Sequence, residues 1–271
     1  MSEKAVGADN QQATSQLFEG ASETTREISQ TNRELAILLS MLFTDGCVSP
    51  KNKNGWRLLF CNKSKILVDL FQNCMVKVFR LPRTRFGISK LQGKYWQTVV
   101  NSKDIGNYLV SNFGTFRTLK LKNGLPTKAR LPIKWLIIND CVSDFLRVAF
   151  SCDGGLSFYP THRNGIRGGT KWLIRTLFLS CEHDQLRKDY LRLLDSVGIN
   201  ARDVKADGKI KIEDKINISK FHKTIGFVAD VEVTNHSKFW SSYSKQKLLE
   251  LMISSYNQPS KIYNLPVFSL R

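Results

Sequence analysis

The chain has no run of 18 apolar residues, and no basic segment followed by an apolar stretch near its N-terminus. Neither a transmembrane helix nor a secretory signal is therefore expected, and the protein reads as intracellular with no membrane partner. Its six cysteines, at 47, 61, 74, 141, 152 and 181, never form a Cys-x-x-Cys pair, which argues against zinc knuckles and a disulfide framework. Four scattered histidines, His162, His183, His222 and His236, give no metal-ligand spacing and no HNH-type cluster. Acidic residues are few. Against 23 Asp and Glu stand 41 Lys and Arg, a formal net charge of +18, the balance of a protein that meets a polyanion such as nucleic acid.

This charge is unevenly placed. Residues 1–33 are rich in Ser, Thr, Gln, Glu, Gly and Ala, carry a net −2, and read as a disordered tail. Residues 34–139 carry +14 and residues 140–271 carry +6, so the first half should supply more of the non-specific grip. With 42% hydrophobic residues, 271 residues can bury one large core or two modest ones.

Two short stretches repeat. Leu38-Leu39-Ser40-Met41-Leu42-Phe43-Thr44-Asp45-Gly46 and Leu146-Arg147-Val148-Ala149-Phe150-Ser151-Cys152-Asp153-Gly154 are both apolar runs with helical spacing that end in Asp-Gly, 108 residues apart. An acid in the last turn of a helix faces the negative end of the macrodipole, at a cost of about 0.3–1 kcal/mol, so something else must favour it. Glycine in the next position reads as a left-handed C-cap. If the two helices pack parallel about a pseudo-twofold axis, both carboxylates emerge at one end, a hard-cation site of the kind Mg²⁺ favours.

These residues resemble the LAGLIDADG homing endonucleases, named for this helix. Phe145-Leu146-Arg147-x-x-Phe150-x-x-Asp153-Gly154 looks like a common form of the motif, and Leu38 to Gly46 is a looser copy. Ordinary buried helices with ordinary caps are the plain alternative for either copy alone. The resemblance implies an α+β protein of two pseudosymmetric αββαββα half-domains, forming a DNA-binding saddle of antiparallel sheets around the paired motif helices.

The periodicity agrees with that plan. Thr31-x-x-Glu34 reads as a capping box opening the first motif helix, and Ser143 as the N-cap of the second. Two hairpins, about 47–62 and 85–100, the first turning at Asn52-Lys53-Asn54-Gly55, flank a helix from Ser64 to Phe79, and a helix from about Ser102 to Phe113 ends the first half. The division expected is a tail over 1–33, a first half-domain over 34–113, a linker over 114–139 and a second half-domain over 140–271. In the second half, strands 156–161 and 171–179 flank a flexible 163–169 loop. A helix over 182–197, a hairpin across Asp207-Gly208 and a helix over 216–225 follow. A final amphipathic helix is expected from about Phe239 to Ser255, with Trp240, Tyr243, Leu248, Leu251 and Met252 on its buried face.

By resemblance, the chemistry is hydrolysis of one phosphodiester per strand of a long, asymmetric double-stranded DNA site by a monomer. Asp45 and Asp153, with Gly46 and Gly154, would hold Mg²⁺, with Ca²⁺ or Mn²⁺ able to substitute. A polar residue at the end of the second strand of each half would position the water. Asn62 with Lys63 fill that place in the first half, and Cys181 with Glu182, or Glu182 with His183, in the second. Glu or Cys is a poor partner for developing phosphate charge, so unequal cutting of the two strands follows as an expectation. Val148 and Cys152 are bulkier than the usual small motif residues. Strand and loop basics Arg57, Arg83, Arg85 and Lys94, then Lys171, Arg175, Lys209 and Lys211, are the DNA-facing set, with plain solvated charge as the alternative for each. An intron-RNA maturase on the same scaffold is the competing reading. A transcription factor would carry a helix-turn-helix module, which is not found, and no protein-splicing segment is visible, which points to a free-standing, intron-encoded enzyme.

Overall fold

Helix α1 runs through residues 29–43, and Leu35, Ala36, Leu38, Leu39, Met41 and Leu42 within it are almost wholly buried. A helix apolar on nearly every side needs neighbours on every side, which places it between layers and not on a surface. The computed structural model describes residues 29–52, 55–118, 127–163, 170–234 and 237–258, with only the backbone described at 52, 162, 163, 170 and 171. Most of the expected tail, positions 53–54 of the first turn, and most of the 163–169 loop lie outside the described residues.

After α1 come β1 (Gly46–Asn52), β2 (Gly55–Asn62), α2 (Lys65–Phe79), β3 (Gly87–Leu91), β4 (Tyr95–Asn101) and α3 (Lys103–Phe113). A short α4 (Ile133–Ile138) leads to α5 (Val142–Cys152), β5 (Gly154–Arg163), β6 (Thr170–Ser180), α6 (Asp184–Ser196), β7 (Arg202–Val204), β8 (Lys209–Ile212), α7 (Lys215–Thr224) and α8 (Lys245–Ser254). Two four-stranded antiparallel sheets form, ordered β1-β2-β4-β3 and β5-β6-β8-β7, so the same α-β-β-α-β-β-α path is traced twice. Among the described residues no helix is long and apolar enough to cross a membrane.

Each sheet is covered by helices on one face only. In the first, Leu58, Phe60 and Val100 point inward, with Phe60 stacked on Phe71 of α2 at 5.2 Å. In the second, Leu177, Leu179, Ile210 and Ile212 meet Leu186, Tyr190 and Leu193 of α6. Alternation along each strand leaves the opposite face open.

Helices α1 and α5 join the halves. Ser40 Oγ donates to the Phe145 carbonyl at 2.7 Å, a side-chain to backbone bond that brings the two rods close at a fully buried point. At their N-terminal ends Arg33 pairs with Asp144 at 3.6 Å, and Asn32 donates to Asn139 at 2.7 Å. Residues 29–33 are therefore helix, held by Asn139 at the end of α4 and by Asp144 of α5, and not tail. Because α1 already runs through Thr31 and Glu34, these residues do not cap it, and Glu34 instead accepts from Lys77 and Gln30. Likewise α5 begins after Cys141, leaving Ser143 inside the helix.

The two motif glycines have a different purpose from a left-handed cap. Neither Gly46 nor Gly154 is among the positive-φ residues; each is the first residue of a strand. A Cβ on Gly154 would sit 2.6 Å from the Phe150 carbonyl oxygen and 2.8 Å from that of Phe178. On Gly46 it would sit 2.8 Å from the Met41 carbonyl oxygen. Glycine is needed because helix end and strand pass too closely for any side chain. Gly154→Ala is expected to destabilise the fold by about 2–3 kcal/mol, the cost of overpacking against backbone that cannot rotate away, as read by chemical unfolding.

Candidate active site

The tight turn after each motif helix fixes where its acid stands. Asp45 lies just beyond α1 and its carbonyl accepts from Cys61 N–H at 3.3 Å, while Asp153 caps α5 and its carbonyl accepts from Ser180 N–H at 3.1 Å. Each aspartate backbone is thus pinned to the second strand of its own hairpin. These two bonds also set the correspondence between halves: Cys61 matches Ser180, so Asn62 matches Cys181 and Lys63 matches Glu182.

The two carboxylates emerge at the same end of the paired helices, close enough that the charge of Asp45 raises the pKa of Asp153. Burial is the larger cause, and together they push Asp153 up to about 8 against a partial offset from Lys245. Asp45 is also raised by burial, but three groups oppose the rise: Asn62, the charge of Lys245 and the Cys152 thiol. Asn62 Nδ2 donates to Asp45 Oδ2 at 2.6 Å, and its other amide atom accepts from Ser64 N–H at 2.7 Å, which fixes the orientation of the amide. Cys152, from the other helix, sits in the seam with its thiol pKa driven well up by burial and by Asp45, so it stays protonated and donates to the Asp45 carboxylate. The motif position that looked too bulky in sequence thus ties the two halves together.

Cys181 does not reproduce Asn62. Its Sγ lies 3.7 Å from the His183 carbonyl, and burial lifts its pKa to about 11. His183 itself is an N-cap, accepting from Leu186 N–H at 3.2 Å through Nδ1. Lys63 Nζ lies 5.4 Å from the Tyr95 ring centre.

The reading of the sequence missed Lys245. This residue is 5% exposed, the first of α8, and its Nζ donates to the Ser151 and Gly154 carbonyls, each at 2.7 Å. Burial pushes its pKa down to about 8, while Cys152, Asp45 and Asp153 pull it upward. A cation at a helix N-terminus, buried, opposes both the macrodipole and solvation, the arrangement expected of a group kept for chemistry. Its signal lay in the spacing: Lys245, Leu248, Leu249 and Met252 are all buried on one helical face, so a lysine interrupted an apolar stripe. The expected helix from Phe239 begins only at Lys245, because residues 238–242 form turns and Ser244 is the N-cap.

As to a metal, the donor set is two carboxylates, and among the described residues no group of three or more His, Cys, Asp and Glu could close a protein cage. That fits Mg²⁺, which commonly takes one or two carboxylates and keeps water and phosphate ligands. The Gly154 carbonyl already accepts from Lys245 at 2.7 Å.

The basic residues separate by face. Arg57 is exposed on the open face of the first sheet, where a shallow cavity of about 390 Å³ is lined by Lys51, Arg57, Ser89, Gln97 and Asn101. Arg85 Nη2 reaches the Asn101 carbonyl at 3.3 Å. Arg83 belongs elsewhere: it sits in the turn before β3 and bonds Asn73 of α2 at 2.5 Å, on the helix side. Lys94, in the β3–β4 turn, lines a cavity of about 770 Å³ with Lys63, Lys65, Asp230 and Glu232. Lys209 and Lys211 alternate with buried Ile210 and Ile212, so both are on the open face, where Lys209 lies over Phe178 and Lys211 pairs with Asp207 at 2.9 Å. Arg175 shares parity with Leu177 and Leu179 and lies on the helix-packed face. It donates to Ser255 Oγ at 2.7 Å and to the Ser255 carbonyl at 3.0 Å and stacks on Tyr256, clamping the end of α8. The Lys171 side chain lies outside the described residues.

The aspartate pair has a thermodynamic signature. Between about pH 5 and 8 the folded chain holds a proton on Asp153 that the unfolded chain, with an ordinary carboxylate, has released, so stability must fall as pH rises through this range. In metal-free buffer the midpoint of thermal unfolding is expected to drop from pH 5 to pH 8, and Asp153→Asn should flatten that slope.

No family model and no curated protein matches this sequence. Solved structures do match its fold. The LAGLIDADG meganuclease I-AabMI, solved bound to uncleaved DNA, is 11% identical over 83% of this chain and 91% of its own, with a TM-score of 0.50. The LAGLIDADG homing endonuclease I-SmaMI, bound to cleaved DNA, is 10% identical over 86% and 92%, with a TM-score of 0.48. Mesophilic variants of the homing endonuclease I-DmoI are 16% identical over 72% and 96%, with a TM-score of 0.46. With two α-β-β-α-β-β-α halves meeting along a parallel pair of helices, each ending in Asp-Gly, the chain has the LAGLIDADG fold.

Proposed function

We propose that the protein is a divalent-metal-dependent endonuclease that grips double-stranded DNA across its two open sheet faces and hydrolyses one phosphodiester in each strand. The observation that carries this reading is the convergence of Asp45, Asp153, Asn62 and Lys245 at the seam between two basic halves. A buried carboxylate whose pKa is raised further by the charge of its neighbour costs stability and is retained where negative charge is needed.

Asp45 and Asp153 would hold the cation, whose chemistry is to polarise a phosphoryl oxygen and make a bound water acidic enough to attack. Asn62 and Cys152 orient Asp45 by donating to its carboxylate. Lys245, anchored by two carbonyls, retains a third N–H for the acidic cluster and sets a positive charge where the departing oxygen gathers negative charge. Arg57 and the other open-face basics hold phosphates and fix register.

Purified protein with Mg²⁺, incubated with a randomised duplex library, should cut at a single long site of roughly 20 base pairs, about one helical turn per sheet. Tight binding of structured RNA with no cutting in Mg²⁺, Mn²⁺ or Ca²⁺ would favour the maturase reading and overturn this one.

A further inference from the structure

Resting on the DNA-binding reading, the correspondence between halves allows the two open faces to be compared residue by residue. Counting outward from the aspartate-strand bonds, the Ser49–Arg57 pair of the first hairpin falls on the Ser157–Thr176 pair of the second. Where the first hairpin offers a guanidinium, the second offers a hydroxyl and a methyl group. Farther out, β5 and β6 pair Tyr159 with Ile174 and Thr161 with Trp172 on that same face, opposite the inward-facing Phe158, Leu173 and Leu177. Among the described side chains, the open face of this hairpin carries no charge and no carboxamide. Trp172 is 51% exposed and Tyr159, stacked on Phe239, is 37% exposed. Large apolar groups left in water on a regular sheet mark a contact surface.

In the major groove each base pair shows a distinct edge, and only thymine shows an apolar one, its 5-methyl group. Threonine and serine hydroxyls, donor and acceptor at once, fit any base edge and select none, so it is the apolar groups that discriminate here, whereas bidentate recognition of guanine needs Arg or Lys. We infer that the two halves read chemically different half-sites: the β5–β6 hairpin takes an A·T-rich half-site through thymine methyl contacts by Trp172, Ile174 and Thr176, and the first hairpin reads guanine through Arg57. The target is then asymmetric in composition as well as in sequence. Lys209, nearer the seam, is placed for phosphates or for a base pair close to the cut, while Lys211 is paired with Asp207.

The test uses the wild-type protein in EDTA, where it binds without cutting. Duplexes selected from a library randomised across the whole site should show one A·T-rich half and one half with a fixed guanine. Arg57→Ala should relax that guanine alone, which assigns each half-site to its sheet. Replacing thymidine by deoxyuridine removes only the methyl group; in the A·T-rich half it should weaken binding about fourfold per contacted base, and in the other half less than twofold. Thr176→Arg should shift the base preferred at its position toward guanine. Selection of a G·C-rich second half-site, insensitivity to deoxyuridine, or a preference of the Trp172 face for single-stranded RNA would overturn the inference. Failure to select any duplex would instead defeat the DNA-binding reading on which it rests. The deoxyuridine arm needs no variant and so does not depend on how substitutions fold.

Discussion

Asp45→Asn is expected to abolish cutting of both strands, with a rate loss of about 10³-fold or more, while the affinity for the uncut site changes little. The substitution keeps the shape of the side chain and an oxygen to accept from Asn62, so the packing of α1 against α5 is preserved and the loss is one of charge. Two further readouts separate this from general damage. First, the Asp45 charge is part of what pushes Asp153 up to about 8, so the Asp153 pKa should fall in the variant, as followed by carboxyl-carbon chemical shifts. Second, relief of carboxylate repulsion should raise the unfolding midpoint at pH 8 as activity disappears. Opposite signs for stability and activity are the mark of a site held against its own folding preference. Equal loss of both would point to a structural aspartate and sink the catalytic reading.

Lys245→Met should lower the cutting rate about 10²–10³-fold with the bound state intact, the usual effect of losing one charge aimed at a transition state. Stability should fall as well, since the variant leaves the Ser151 and Gly154 carbonyls without their donor and the two carboxylates without their cation, so rate and affinity are compared at a temperature where the variant is folded. The pH profile is the sharper test. With its pKa near 8, wild-type Lys245 loses its proton as pH rises through that value, so the wild-type rate should decline on the alkaline side. The residual rate of the methionine variant should lack that decline. An unchanged alkaline limb in Lys245→Met would assign the limb to another group.

Much of this arrangement could be read from the amino acids before any coordinates. The two motif helices were legible because an apolar run followed by Asp-Gly is rare and occurs twice at the spacing of one repeat. Both hairpins of each half followed from alternation and turn residues, with strand ends shifted by at most two positions. Less visible were contacts between distant segments. Residues 29–33 look like polar tail until Asp144 and Asn139 arrive to receive them. Arg175 looks like a DNA contact until its parity with Leu177 and Leu179 turns it inward toward Ser255. Lys245 sat inside a stretch read only for its apolar face, and its partners, the Ser151 and Gly154 carbonyls, are more than 90 residues away. Glycine at the end of each motif was foreseen, but for a dihedral reason where the actual one is steric.

The segment between α3 and α4 is fastened on both sides of positions 119–126. Phe116 packs against Phe43 of α1 with ring centres 4.7 Å apart, while Arg130 grips buried Asp189 of α6 with two bonds of 2.8 and 3.0 Å, and the Thr127 carbonyl meets His183 at 2.9 Å. Thr127 Oγ1 donates to the Arg117 carbonyl, so the two ends already touch. A cut across those positions turns an internal association into a bimolecular one, so holding the pieces together falls to these bonds and to the buried α1–α5 seam. A protease nick there should leave two polypeptides that copurify as a non-covalent heterodimer, and separately expressed fragments should reassemble into a working pair.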